Sequence, residues 1–381
     1  MTSRIEWVRE SCRLLQSIGE RFDDTRPFEG LTIGTGIHLE PKTVALLLTL
    51  QRGGANVVST GNLSSTQQSA IDYLEAHGAT VIGEPTRDPE VRAGHLDGIL
   101  DAEPDLILDN GGDLFVRYLE RPYTGLRGGT EETTSGRMRL AGLRDQLRMP
   151  ILVINDSPIK LFAENLHAVG QSTLESFMRI TNRATNGRRV VIFGYGSCGR
   201  GVAAYFRDDN ARVAVVEVDP VKRLEALLDG YDVPTKADAL ATADIAITIT
   251  GARDVITADD VDVLPDDVIL ANAGHFPVEI DVAGLSNHAS VTEQRNTTDG
   301  IGTLVLADGR RVHILTEGHM VNLSGPRPLG NSIESMDLGF SLQSLCLEAV
   351  ANGDVDAASC VVPVPRSIDE RVATDYVAIT A

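Results

Sequence analysis

One run of residues constrains the fold more than any other. Residues 188–193 (RRVVIF) form a short apolar stretch rich in β-branched side chains. It passes directly into Gly194-Tyr195-Gly196-Ser197-Cys198-Gly199 and then into a helical run. A second apolar stretch, 212–218, follows and carries Glu217 near its end. Strand, glycine loop, helix, strand and acid in this order make the opening βαβ unit of a dinucleotide-binding fold. The glycines permit a tight turn and let a pyrophosphate approach the helix N-terminus, where unpaired backbone N–H groups meet it. An acid about 20 positions further on accepts from the adenosine ribose hydroxyls, and its charge repels a 2′-phosphate. Glu217 fits that role, so the expected cofactor is NAD in preference to NADP, with Gly194, Gly196, Ser197, Cys198 and Gly199 lying against it.

The chain reads as three blocks. In the first, 1–165, short apolar strands at 31–37, 55–59, 80–82, 106–109 and 151–154 alternate with helical runs such as 42–52 and 66–77. Gly34, Gly36, Gly53, Gly54, Gly111 and Gly112 fall in or beside the strand ends. Such alternation implies an α/β fold with a parallel sheet covered on both faces. The dinucleotide-binding block covers 166–322. The third block opens with the Gly/Pro-rich 323–330, continues as a helix over 332–351, and ends without strong periodicity.

Composition removes several function classes. A formal charge of -20 opposes binding to phosphate backbones or anionic membranes and favours small-molecule ligands. No stretch approaches the roughly 18 apolar residues of a membrane span. The N-terminus alternates Arg4, Arg9 and Glu10 with Ile5, Trp7 and Val8, which predicts an amphipathic helix and not a signal peptide. Cys12, Cys198, Cys346 and Cys360 form no CxxC pair and suit a reducing cytoplasm. The histidines show no metal-ligand spacing. Basic residues are nearly all arginine, the only lysines being Lys42, Lys160, Lys222 and Lys236. A lysine kept against that bias suits a task arginine cannot perform, namely giving up a proton.

Six segments follow one another in an order that resembles the S-adenosylhomocysteine hydrolases: 108–114 (LDNGGDL), 131–136 (EETTSG), 155–165 (NDSPIKLFAEN), 194–201 (GYGSCGRG), 272–281 (NAGHFPVEID) and 317–323 (EGHMVNL). The similarity covers about residues 30–350. It implies a Rossmann-type NAD-binding domain, 166–322, inserted into a second doubly wound α/β domain that binds substrate. That second domain is made of 1–165, with 323–350 returning to it, and 351–381 form a C-terminal segment. The resemblance further implies a homo-oligomer and tightly held NAD recycled within each turnover. By the same resemblance the cofactor would oxidise a nucleoside 3′-hydroxyl, the ketone would acidify the C4′ hydrogen, the 5′ substituent would leave, water would add and the ketone would be reduced again.

Carried over position by position, the resemblance assigns Lys160 and Glu164 to the 3′-hydroxyl proton. The two stand at i and i+4 of an expected helical turn, where side chains converge. His38 is assigned to the leaving group and water, Glu132 to the sugar hydroxyls, and His275 to a place near nicotinamide and ketone. Thr133, Thr134 and Ser135 are expected to touch NAD. Asn165 and Asn322 are expected to orient its carboxamide, and Thr250, Gly251, Ala273 and Gly274 to form turns beside it.

Departures from the family pattern gather where substrate would lie. Asn110 replaces an aspartate and cannot act as a base. A stretch whose threonine and glutamate read adenine is here His38-Leu39-Glu40-Pro41-Lys42-Thr43, so Glu40 is a candidate for altered base recognition. A family Ser-Thr-Gln-Asp is Ser65-Thr66-Gln67-Gln68, with Thr66 and Gln67 expected near substrate. A Gly-His-Pro loop becomes 324–331, which ends at Asn331. Lys222 stands where asparagine helps hold the cofactor ribose. The chain closes at 376–381 without the family's Lys/Tyr-bearing tail, which suggests looser cofactor exchange and a dimer or tetramer. Kept redox residues beside a changed pocket suggest a changed substrate. The leading expectation is a nucleoside dehydratase that forms a 4′,5′-unsaturated sugar, as nucleoside-antibiotic pathways require. The alternatives are S-adenosylhomocysteine hydrolysis and a catalytically silent NAD-binding regulator.

Overall fold

A computed structural model describes residues 3–355 and 358–380. Met1 and Thr2, at the start of the expected N-terminal helix, and Ala381 lie outside them. The chain divides into two compact units, Met1–Leu161 with Ile333–Ala381, and Phe162–Ser332.

The first unit is built on a parallel sheet. Its strands are β1 (Thr32–Ile37), β2 (Asn56–Gly61), β3 (Thr80–Val81), β4 (Leu106–Asp109), β5 (Gly128–Glu131), β6 (Ile151–Val153) and the chain's last strand, Val362–Pro363. From that last strand inward the order is β6-β5-β4-β1-β2-β3, so the winding direction reverses between β1 and β4. In open sheets of this kind ligands bind outside the strand C-termini at that reversal. The central strands are buried throughout, as expected of a sheet covered on both faces.

Strand β5 escapes the sequence reading because GGTE looks like a turn. A Cβ on Gly128 would stand 2.1 Å from the Pro150 carbonyl oxygen, and one on Gly129 1.8 Å from that of Ile107. The glycines are there because neighbouring strands crowd them, and the strand they weaken is held by pairing on both sides.

The helix Ile333–Asn352 buries residues on nearly every side and packs on β5 and on the helices Arg13–Thr25 and Pro41–Arg52. Its Asp337 carboxylate accepts from the backbone N–H groups of Leu14 and Leu15 at 2.8 and 2.9 Å. It thus caps the helix Arg13–Thr25, whose own N-cap, Cys12, supplies no side-chain bond. The 351–381 segment carries the last strand and the helix Arg366–Thr380. Only Asp369 and Val372 of that helix are buried, which explains why no apolar period was visible.

The second unit contains β7 (Arg189–Phe193), β8 (Arg212–Val216), β9 (Ile245–Thr248), β10 (Val268–Asn272), β11 (Val291–Asn296), β12 (Ile301–Leu306) and β13 (Arg311–Leu315), ordered β11-β12-β13-β10-β9-β7-β8. Strands β8, β7, β9, β10 and β13 are parallel, and β12 and β11 extend the sheet antiparallel. Val190 and Ile192 of β7 enter one core and Val191 and Phe193 the other, so this sheet too is buried on both faces. Among the described residues no helix is long and apolar enough to cross a membrane.

Candidate active site

Four strands of the first unit end on the same device. The residue after β1 is His38, after β2 Asn62, after β4 Asn110 and after β5 Glu132, while Lys160 follows β6 after one 3-10 turn. Strand pairing places these positions side by side along the C-terminal edge of the sheet, His38 and Asn110 flanking the reversal.

The side chains of Asn62, Asn110, Glu132 and Lys160 join in one buried chain. Arg92, from the helix Pro89–Asp101, donates to Asn62 Oδ1 at 2.6 Å. Asn62 Nδ2 donates to Asn110 Oδ1 at 3.0 Å, and Asn110 Nδ2 donates to Glu132 Oε2 at 2.8 Å. Lys160 Nζ lies 3.4 Å from Glu132 Oε1. Lys160 and Glu132 are each 5% exposed, so the ion pair sits where water screens it little. His38 Nδ1 is 2.6 Å from Ser65 Oγ. Glu40 and Lys42 form a second buried pair at 2.8 Å.

Beneath this edge two further carboxylates shape the loop at 110–113. Asp109 accepts from the backbone N–H groups of Asn110, Leu114 and Phe115. Glu131 accepts from Gly111, Gly112 and Thr133 N–H and from Thr133 Oγ1. Burial, reinforced by the nearby Asp113 carboxylate, pushes Asp109 up to about 7. Burial and the charge of Asp109 hold Glu131 well above the carboxylate range. For Asp113, burial is outweighed by Arg92 and Arg139, which keep it low.

The expected substrate contacts Thr66 and Gln67 are tied to this edge by backbone. Thr66 Oγ1 donates to the Asn62 carbonyl and Gln67 N–H to that of Leu39. Thr133 caps the helix Thr134–Ala141 and bonds Ser135, while Thr134 is exposed. The α-turn expected to align Lys160 with Glu164 is instead a π-helix, Lys160–Ala168. Its backbone closes i→i+5, so the i,i+4 register of an α-turn does not apply. Lys160 bonds Glu132, and Glu164 and Asn165 are both buried at the start of the second unit.

In the second unit the three glycines of the loop have three different reasons. Gly194 turns the chain at φ +103°. A Cβ on Gly199 would stand 2.1 Å from the Gly194 carbonyl oxygen, whereas one on Gly196 would meet nothing within 4 Å. Gly199 is required by packing, and Gly196 leaves the helix N-terminus, at Ser197 and Cys198, open to a pyrophosphate. Glu217 lies one residue past β8, not within the strand, and accepts from Tyr195, Val218 and Asp219 N–H at 2.7–2.9 Å. Two carboxylate oxygens offer about four acceptor sites, so capacity remains for a ribose hydroxyl.

Across the reversal of this sheet, Glu279 accepts from Thr250 N–H and Oγ1 and from Gly251 N–H. A Cβ on Gly274 would stand 1.8 Å from Glu279 Oε1, which explains that glycine. Asn272 holds the turn through Ala273, Gly274 and His275, accepting from Gly274 N–H and donating to the Gly274, Phe276 and Gly318 carbonyls. Asn322 Nδ2 donates to Ser172 Oγ, which donates to Asn331 Oδ1. Among the described residues no donor reaches the buried Asn322 Oδ1. An orphan acceptor here suits the amide N–H of a nicotinamide. Lys222 is exposed on the helix Pro220–Leu228, its backbone N–H bonded to Asp219.

Asn62, Arg92, Glu131, Ser172 and Glu279 were not singled out from sequence. Asn62 was findable, since it follows its strand as His38 follows β1. Replacing Glu217 by alanine removes the acceptor of three loop N–H groups. Charged hydrogen bonds of this kind contribute about 1.5–3 kcal/mol each, so NAD affinity should fall at least about tenfold, as measured by calorimetric titration.

Known proteins resemble this chain along nearly its whole length. Residues 165–327 match the family model "S-adenosyl-L-homocysteine hydrolase, NAD binding domain", and residues 3–122 match the model "S-adenosyl-L-homocysteine hydrolase". The S-inosyl-L-homocysteine hydrolase of Methanopyrus kandleri is 41% identical over 97% of this chain and 88% of its own. The adenosylhomocysteinase of Thermotoga maritima is 40% identical over 97% of this chain and 92% of its own. A solved oxidoreductase from Ralstonia solanacearum, 14% identical, matches with a TM-score of 0.51 over 87% of this chain and 97% of that one, a likeness of fold alone.

Proposed function

The chain belongs to the S-adenosyl-L-homocysteine hydrolase family of NAD-dependent enzymes, and from that premise we propose that it oxidises a nucleoside 3′-hydroxyl, expels the 5′ substituent and reduces the ketone again. The observation that carries this reading is the buried chain from Asn110 through Glu132 to Lys160 at the sheet's C-terminal edge. In it we assign substrate to the first unit and NAD to the second.

NAD, when bound, supplies the two-electron oxidation and its reversal. Lys160, once deprotonated, takes the 3′-hydroxyl proton, and Glu132 holds the ammonium so formed. The new ketone acidifies C4′–H, whose proton passes to the neutral imidazole of His38. The electron pair of that bond forms the C4′=C5′ bond as the 5′ substituent leaves with its own pair. His38, oriented by Ser65, delivers the proton that the departing group needs.

We place water first as the leaving group, which makes the chain a nucleoside dehydratase. Support comes from where the sequence departs from its family: Asn110, the Glu40–Lys42 pair and 324–331 change, while His38, Glu132 and Lys160 stay. The second reading is hydrolysis of an S-nucleosyl homocysteine, favoured by the names of the two relatives. Dehydration is the water-addition step of that cycle run backwards, so the same residues serve both. Glu40 and Lys42 offer an acceptor beside a donor, which suits a base carrying adjacent N–H and carbonyl groups, as in an inosine. Self-assembly into a dimer or tetramer in the cytoplasm belongs to the same proposal, and light scattering checks the assembly.

The test is absorbance near 340 nm on NAD-loaded protein mixed with adenosine, inosine, their homocysteine thioethers and sugar-modified nucleosides, with products weighed by mass spectrometry. Transient NADH with loss of water supports the dehydratase, and release of homocysteine supports the hydrolase. Bound NAD that no nucleoside reduces would overturn both and leave an NAD-binding regulator.

A further inference from the structure

We propose that Arg92 is a positioning residue that sets the polarity of the hydrogen-bond chain ending on Glu132 and Lys160. The inference rests on the reading of Lys160 and Glu132 given above, and concerns how their geometry is enforced.

An asparagine amide can present either its N–H₂ or its C=O to a neighbour, so two in series leave the chain's direction open. A guanidinium is donor-only. Because Arg92 reaches Asn62 at 2.6 Å, the atom facing it must be the Asn62 oxygen. Asn62 then turns its N–H₂ toward Asn110, which must accept, and Asn110 turns its own N–H₂ toward Glu132 Oε2. Glu132 is therefore required to accept at that oxygen, leaving Oε1 to face Lys160. A donor-only cation stands at each end, and the carboxylate is the sink. If the Asn110 amide were reversed, its oxygen would face a carboxylate oxygen. Glu132 would have to carry a proton there and would hold Lys160 less well.

Arg92 is itself fixed for this task. It is 9% exposed and donates to Asp113 at 2.6 Å, and Asp113 is also bound by Arg139. The Asp113 charge offsets that of the guanidinium, so what passes toward Glu132 is chiefly the direction of the bonds. Position 92 is the fourth residue of the helix Pro89–Asp101, which carries no motif, and only the folded chain brings it to Asn62.

The experiment compares Arg92→Met with Arg92→Lys. Methionine fills similar space but donates nothing, and lysine keeps a donor-only cation. In Arg92→Met the reduction of bound NAD by a nucleoside should slow by about tenfold or more, the loss of one buried charged hydrogen bond. Arg92→Lys should recover most of it; it loses the two-armed reach to Asn62 and Asp113 and should melt below the parent, while Arg92→Met, which also loses the ion pair with Asp113, should melt lower still. The independent readout is nuclear magnetic resonance of the side-chain amides in 15N-labelled, NAD-loaded protein. The Asn110 amide protons, assigned by their absence from Asn110→Ser, should lie downfield through their bond to the carboxylate. They should move upfield in Arg92→Met and return in Arg92→Lys. Unmoved Asn110 protons in a folded Arg92→Met would overturn the inference. If no nucleoside reduces NAD in the parent protein, the proposed reaction fails, yet the amide resonances still decide the role of Arg92.

Discussion

Replacing Lys160 by methionine is expected to slow the reduction of bound NAD by a nucleoside by roughly 10²- to 10⁴-fold, the contribution of a positioned acid–base group. NAD itself should stay bound, because Lys160 lies in the first unit and the glycine loop, Glu217 and Asn322 lie in the second. Lys160→Arg separates the chemical role from a structural one. An arginine keeps the pairing with Glu132 but does not deprotonate at any accessible pH. If the lysine only neutralises a buried carboxylate, arginine should restore the rate. If it takes a proton, arginine should be as slow as methionine. Stopped-flow absorbance near 340 nm reads both, and a Lys160→Arg protein as fast as the parent would sink the assignment. The melting temperature is the control, since removing one partner of a buried ion pair costs on the order of 3–5 kcal/mol.

How much of this could be read from the sequence depended on the range of the interaction. The dinucleotide loop was legible because its parts are consecutive: the strand, Gly194, Gly196, Gly199 and Glu217 all belong to one βαβ unit. The Asn110–Glu132 contact was half legible. Both residues fall in recognisable segments, but their hydrogen bond follows from the pairing of β4 with β5, and GGTE did not read as a strand. Arg92 was illegible, being one of many arginines in the chain and lying on a helix with no distinguishing pattern. Glu279 sat inside a quoted motif, yet its work is done across the sheet at Thr250 and Gly251. The helical turn at Lys160 was expected in the right place with the wrong pitch, since apolar spacing over nine residues does not separate an α-helix from a π-helix.

The second large effect expected is a loss of stability as pH rises from about 5 to 8, opposite to the trend of a protein held by surface ion pairs. Asp109 rises from 3.8 to about 7 and Asp337 from 3.8 to about 6, both chiefly through burial. Glu131 is displaced the same way. A group whose folded pKa is raised binds its proton more tightly folded than unfolded. Its stabilising contribution is complete below the unfolded value near 4 and disappears as pH climbs through the folded value. At about 1.4 kcal/mol per unit, Asp109 and Asp337 together change stability by a few kcal/mol over this interval, a large part of a typical total. Asp244 and Asp267 are displaced downward despite some burial, through Arg189 and through Arg183 with His313. Their stabilisation fades only as pH falls below about 4, so it cannot offset the loss above 5. Growing self-repulsion in a chain of formal charge -20 acts in the same direction as the buried acids. Urea midpoints at pH 5, 6, 7 and 8 with NAD held saturating should therefore decline steadily, and Asp337→Asn should decline less. A midpoint that is flat or rises across the range would mean that the backbone N–H groups around these carboxylates stabilise the charge more than burial opposes it.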